Sequence, residues 1–208
     1  MNFFQAIILG IVQALTEYLP VSSSAHIRII GDLMLGADPG AAFTAIIQIG
    51  TELAVILYFR RDIINILSHW FGCLFGKNGP DWRARMGRGD KYATLGWNVI
   101  VGSIPIIILG FTLQNIIETS LRNLWITVTV LFLFGLLLWI VDARSRQIKT
   151  MDDMNYRDAF LFGLGQSMAL IPGVSRSGGT ITVGRALGYT RESAVRLSFL
   201  MAIPAVFG

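Results

Sequence analysis

Cysteine is almost missing from this chain: Cys73 stands alone among 208 residues. A lone thiol forms no internal bridge, so a disulfide-stapled secreted scaffold is excluded and the redox compartment stays open. Charge is scarce as well. Acidic and basic side chains make up 14% of the chain, against roughly 25% in an ordinary soluble domain. That scarcity, beside a 53% hydrophobic content, excludes disorder and a nucleic-acid-binding arm. The 17 basic and 13 acidic side chains are too few to clothe a soluble core of this size. With a mean hydropathy of +0.60, the membrane is the better solvent.

Two uninterrupted apolar runs, Leu95 to Leu113 and Leu124 to Val141, are long enough to cross a bilayer, which takes about 20 helical residues. Phe43 to Phe59 is slightly shorter and carries Gln48 and Glu52. It reads as a third span if those two groups face protein, where they would line one cavity. The charges sit in the connections. Seven basic residues lie between Arg60 and Lys91, four between Asp142 and Asp158, and only Arg122 between Gln114 and Asn123. The positive-inside rule places the first two connections in the cytoplasm and the third outside. The net charge of +4 therefore reflects membrane topology, not a nucleic-acid partner. The chain stops at Gly208 inside the apolar run FLMAIPAVFG, an ending expected of a piece of a longer protein.

Two further hydrophobic segments are broken by polar residues. Phe3 to Ile30 contains Gln13, Glu17, Pro20, Ser22, Ser23, Ser24 and His26; Ala159 to Leu187 contains Gln166, Pro172, Ser175, Arg176, Ser177 and Thr180. Neither suits a lipid-facing helix, because non-helical backbone at membrane depth needs protein or a wet cavity around it. A shift of 153 residues aligns Ala6 with Ala159, Gln13 with Gln166, Ser22 with Ser175 and Ser24 with Ser177. Three spans between the copies would give them opposite topology. The expected fold is an all-α integral membrane protein, one membrane domain over 1–208. It would hold two inverted repeats, about 1–59 and a truncated 159–208, each with a re-entrant helix–loop–helix whose loop meets the other's near a polar site.

Those loops carry chemistry. In PGVSRSGGT, glycines let the backbone approach a ligand. Ser175, Ser177 and Thr180 offer hydroxyls, and Arg176 offers a planar fork of N–H donors suited to phosphate. An intramembrane arginine is costly without an anionic partner, so the loop reads as an oxyanion site. In QALTEYLPVSSSAH, Gln13 and Glu17 share a helical face. Glu17 is a candidate base or cation ligand, and Ser22 to Ser24 are candidate nucleophiles or phosphate donors. His26 could shuttle protons or attack phosphorus itself. Together these are the parts that phosphoryl transfer needs.

The two motifs together closely resemble those of the undecaprenyl-pyrophosphate phosphatase family, also called bacitracin-resistance proteins. Gln13 and Glu17 fall on its [E/Q]xxxE positions, and the Pro-Val-Ser-Ser stretch with His26 follows. PGVSRSGGT matches its PGxSRSxxT motif, and MDDMNYRDAF also looks like the family's. The resemblance implies hydrolysis of undecaprenyl pyrophosphate to undecaprenyl phosphate and inorganic phosphate, which recycles the lipid carrier for peptidoglycan and confers bacitracin resistance. It implies a bacterial plasma-membrane location, a site open to the extracytoplasmic side and a divalent cation, Mg or Ca, with Glu17 and Gln13 as ligands. Gln13 replaces a carboxylate found in many members, which weakens its claim on a metal. Catalysis would fall to Glu17, Ser23, His26 and Arg176, and phosphate binding to Ser22, Ser175, Arg176, Ser177 and Thr180. Ser23 and His26 remain rival nucleophiles, with Ser23 preferred. The partners are the lipid pyrophosphate and membrane lipid, with a homodimer allowed and no nucleic acid.

Two other readings compete. Inverted repeats with re-entrant loops also build anion transporters and lipid flippases, although those need no proton-transfer group such as Glu17 or His26. A PAP2-type acid phosphatase would need a second histidine downstream of the Ser–Arg loop, and the other histidine here, His69, lies upstream.

Overall fold

The computed structural model describes residues 1–119 and 124–207. The described residues are helical throughout, apart from connections and one parallel bridge between Lys149 and Tyr189. The order is α1 (Phe3–Glu17), α2 (Ser23–Leu35), α3 (Ala41–Tyr58), α4 (Arg60–Leu74), a single turn α5 (Trp82–Arg85), α6 (Lys91–Thr119), α7 (Leu124–Arg144), α8 (Tyr156–Ser167), α9 (Arg176–Ala186) and α10 (Arg191–Phe207). Lys91–Leu113 and Leu124–Arg144 are long and apolar enough to cross a bilayer. They fall on two of the runs expected as spans, and α3 falls on the third. Arg122 lies outside the described residues.

The stretch after α3 differs from expectation. Arg60 to Lys91 is not all connection, because α4 occupies its first half and bends 73° away from α3. The reason is an amphipathic pattern. Ile66 and Cys73 are buried on one face of α4, and Trp70 lies edge-on to Trp97 of α6 with ring centroids 5.2 Å apart. Trp97 is thus part of a helix contact. Trp125 and Trp139 are exposed, as interfacial anchors would be.

The broken segments repeat each other element by element. Phe3 and Tyr156 open α1 and α8, and Ser23 and Arg176 open α2 and α9; both pairs are 153 residues apart. The caps repeat too. The Asn2 side chain accepts from the Gln5 N–H, and the Asn155 side chain accepts from the Asp158 N–H. Each satisfies an orphan donor at its helix start. Helices of 13 and 11 residues, α2 and α9, reach only about 20 and 17 Å, short of the roughly 30 Å hydrocarbon layer. Each therefore forms a hairpin with the helix before it, α1 with α2 and α8 with α9.

Small residues set how closely these elements pack. A Cβ on Gly163 would lie 2.2 Å from the Gly102 carbonyl oxygen, so α8 rests directly on the backbone of α6. Between α8 and α9 the chain turns through Pro172 and Gly173. Gly173 has φ +100, and a Cβ there would lie 2.4 Å from the Thr127 carbonyl of α7. No other residue suits both demands. The apolar core beneath gathers Phe162, Tyr189, Leu197 and Met201. Beside it Arg185 is wholly buried, donating from Nε to Asp142 at 2.5 Å and from Nη1 to the Tyr189 carbonyl at 2.6 Å. This staple ties α7 to α9.

Candidate active site

Helix α1 presents Gln13 and Glu17 one turn apart, and Gln13 Nε2 donates to Glu17 Oε2 at 2.8 Å. Pro20 follows, and a helix does not continue comfortably into the residue before a proline. The chain turns and restarts at Ser23 through Ser22, a buried residue with φ 63. The left-handed conformation is costly for serine and persists only where its surroundings enforce it. His26 supplies one constraint, since its Nδ1 lies 2.8 Å from the Ser22 carbonyl. A carbonyl only accepts, so Nδ1 carries the proton. The turn delivers the Ser23 hydroxyl to Glu17, to which it donates a hydrogen bond at Oε2.

The second loop meets the first here. Arg176, the opening residue of α9, donates from Nη2 to Glu17 Oε1 at 3.0 Å and to Glu52 Oε1 of α3. Its neighbours echo the first loop. Ser22 and Ser24 hydroxyls lie 3.2 Å apart, and Ser175 and Ser177 hydroxyls 3.1 Å apart. Ser175 also caps α9 by accepting from the Gly178 N–H at 3.1 Å. A cavity of about 470 Å³ opens over this centre, lined by Gln13, Glu17, Ser22, Ser23 and Gln48 on one side and by Ser175, Arg176 and Ser177 on the other. Side-chain exposure falls from 15% at Arg176 and 11% at Glu17 to 1% at Glu52.

Two expected members stand apart. Thr180 is wholly buried and donates to the Arg176 carbonyl at 2.7 Å, one turn along α9. It braces the helix start without lining the cavity. His26 lines a different, mostly apolar cavity of about 300 Å³ with Leu131 and Phe134 of α7. Glu52 moves the other way. Its residue type in an apolar span marked it only as a cavity neighbour, and nothing in local sequence pairs it with a residue 124 positions away.

Among the described residues, no three His, Cys, Asp or Glu side chains gather as a metal ligand set. The oxygen donors at the centre nevertheless suit a hard divalent cation. Gln13 Oε1 and Glu52 Oε2 are buried acceptors without a hydrogen-bond partner, and Gln13 Oε1 belongs to the amide already docked on Glu17.

These features define a class: a multi-pass helical membrane protein whose two broken hairpins join a carboxylate, a hydroxyl and a guanidinium at one centre. The chain belongs to the bacitracin resistance protein BacA family, whose model matches residues 6–208. It is 90% identical over 208 residues to the undecaprenyl-diphosphatase of Bifidobacterium longum subsp. infantis, covering 100% of this chain and 71% of that relative. It is 73% identical to the undecaprenyl-diphosphatase of Bifidobacterium adolescentis, with the same coverage. The undecaprenyl-diphosphatase of Paenarthrobacter aurescens is 55% identical over 212 residues, with 100% of this chain and 73% of that relative covered.

Proposed function

We propose that this protein hydrolyses undecaprenyl diphosphate to undecaprenyl phosphate and inorganic phosphate, with Ser23 as nucleophile and Glu17 as its base. The hydrogen bond from Ser23 Oγ to Glu17 Oε2, in a cavity that Arg176 also enters, carries this reading. Ser23 Oγ attacks the terminal phosphorus and its proton passes to Glu17. The bond from phosphorus to the bridging oxygen breaks, and the electron pair leaves on undecaprenyl phosphate. Glu17 passes that proton to the departing phosphate oxygen and is a carboxylate again. Water then attacks the phosphoserine, giving a proton to Glu17, and Ser23 Oγ leaves with its electron pair and takes that proton back. Arg176 neutralises charge growing on the phosphoryl oxygens. The hydroxyls of Ser22, Ser175 and Ser177 bind those oxygens, with amides at the starts of α2 and α9 alongside. Glu17 and Gln13 would hold the divalent cation, which supplies charge neutralisation on the diphosphate when bound.

The geometry favours Ser23 over His26, whose Nδ1 is committed to the Ser22 carbonyl and which borders a separate cavity. The site faces the extracytoplasmic side of a bacterial plasma membrane in this proposal, on the weight of the basic connections. A cysteine from Arg83→Cys should be shielded from an impermeant thiol reagent in intact cells, and one from Thr119→Cys should react. Buried Cys73 adds little background. Reversed labelling would overturn the orientation. The chemistry is tested by phosphate release from undecaprenyl diphosphate with and without chelator, followed by rapid quench. Phosphoserine at residue 23 is expected; phosphate on His26 would overturn the assignment.

A further inference from the structure

Glu52 is the anomaly of α3. It is a wholly buried carboxylate and the single charged residue of α3, with Oε1 on Arg176 and Oε2 without a partner among the described residues. Such a group is a poor stabilising device. Desolvation offsets the attraction of a buried pair, and apolar residues of similar volume in place of the whole pair often serve stability as well or better. Its position has a chemical meaning instead. Both Glu17 and Glu52 are reached through the same atom, Arg176 Nη2, and among the described residues its Nε and Nη1 donate to no other group. A planar guanidinium gripped at one nitrogen from two sides has its plane set, with the Nε and Nη1 hydrogens left for phosphate oxygens.

Glu17 divides its hold, because its other oxygen accepts from the Ser23 hydroxyl. Gln13, an amide, supplies no second charge and instead donates to Glu17. We infer that Glu52 is a positioning residue for the phosphatase reaction: its carboxylate holds Arg176 Nη2 beside Glu17 and so fixes the plane of the guanidinium that meets the phosphate. The inference rests on the proposed roles of Ser23, Glu17 and Arg176.

The test uses the full-length protein in detergent and undecaprenyl diphosphate as substrate. Glu52→Gln should lower kcat about 10²-fold, the loss that a displacement of about 1 Å brings. KM should not rise, because a negative charge has left the path of an anion. Tm should not fall. Glu52→Asp, with the charge restored on a shorter arm, should recover part of kcat. In Arg176→Ala, adding Glu52→Gln should cost nothing further, since the residue it positions is gone. Wild-type kcat in Glu52→Gln, with Arg176→Ala inactive, would overturn this inference alone. So would a fall in Tm with kcat per folded molecule unchanged, or an equal further loss in the Arg176→Ala background. Full activity in Arg176→Ala would overturn the site reading and this inference together.

Discussion

Arg176→Ala separates what the guanidinium does for catalysis from what it does for stability. In the resting protein it lies between Glu17 and Glu52, with only 15% of its side chain exposed. Truncation leaves two carboxylates without their cation, one of them 1% exposed. Breaking a buried pair from one side costs about 3–5 kcal/mol. A membrane domain of ordinary stability, roughly 5–15 kcal/mol, stays folded with a lowered Tm. Catalysis should suffer more. A phosphoryl-transfer arginine is worth roughly 10³–10⁵ in rate, or about 4–7 kcal/mol of barrier. Arg176→Lys restores a charge but not the planar fork, and one ammonium cannot reach both carboxylates and a phosphate. It should recover no more than about tenfold. The double variant Arg176→Ala/Glu52→Gln removes the stranded buried charge, so Tm should rise towards wild type while turnover stays lost. The assays are phosphate release per folded molecule and thermal unfolding in the same detergent. A turnover for Arg176→Ala within about tenfold of wild type would refute the reasoning. So would recovery of turnover together with stability in the double variant.

Ser23→Ala should abolish single-turnover phosphate release, whereas His26→Ala should be milder. His26→Asn, whose amide can replace Nδ1 at the Ser22 carbonyl, should lie closer to wild type than His26→Ala; the reverse order would return His26 to the chemistry. Just before α6, burial raises the Asp90 carboxyl, but hydrogen bonds from His69 at 2.7 Å and from the Ala93 N–H outweigh it and leave the group below its ordinary value. Because the folded-state value is depressed, the stabilisation is complete above the unfolded carboxylate value of about 4 and fades as pH falls through the lower folded value. Asp90→Asn should therefore cost about 1 kcal/mol at neutral pH and nothing once both states are protonated, as thermal melts across acid pH would read. Arg185→Ala should lower stability by about 3 kcal/mol or more, because it strips a wholly buried guanidinium from Asp142 and the Tyr189 carbonyl. Activity per folded molecule should be unaffected.

Much of this architecture is written in local sequence because the bilayer enforces it. A helix that faces lipid along its whole length must be apolar throughout, so α6 and α7 are legible as uninterrupted runs. A break such as Pro20 or Pro172 with its serines is legible because lipid tolerates none. The 153-residue repeat survives in the residues that build those breaks, and Arg176 announces an anion by its cost in a membrane. What the sequence left undecided depends on contacts between distant elements. Amphipathic α4 was hidden among charges, because its apolar face matters only against α6. His26 looked like a reacting group until the fold turned its Nδ1 onto the Ser22 carbonyl and its ring towards α7. Glu52 looked like a cavity neighbour until α3 brought it to the guanidinium that Glu17 also holds. Periodicity and propensity act over a few residues along the chain. Which carboxylate meets which cation is decided by packing across it, where buried charges must find partners wherever the fold provides them.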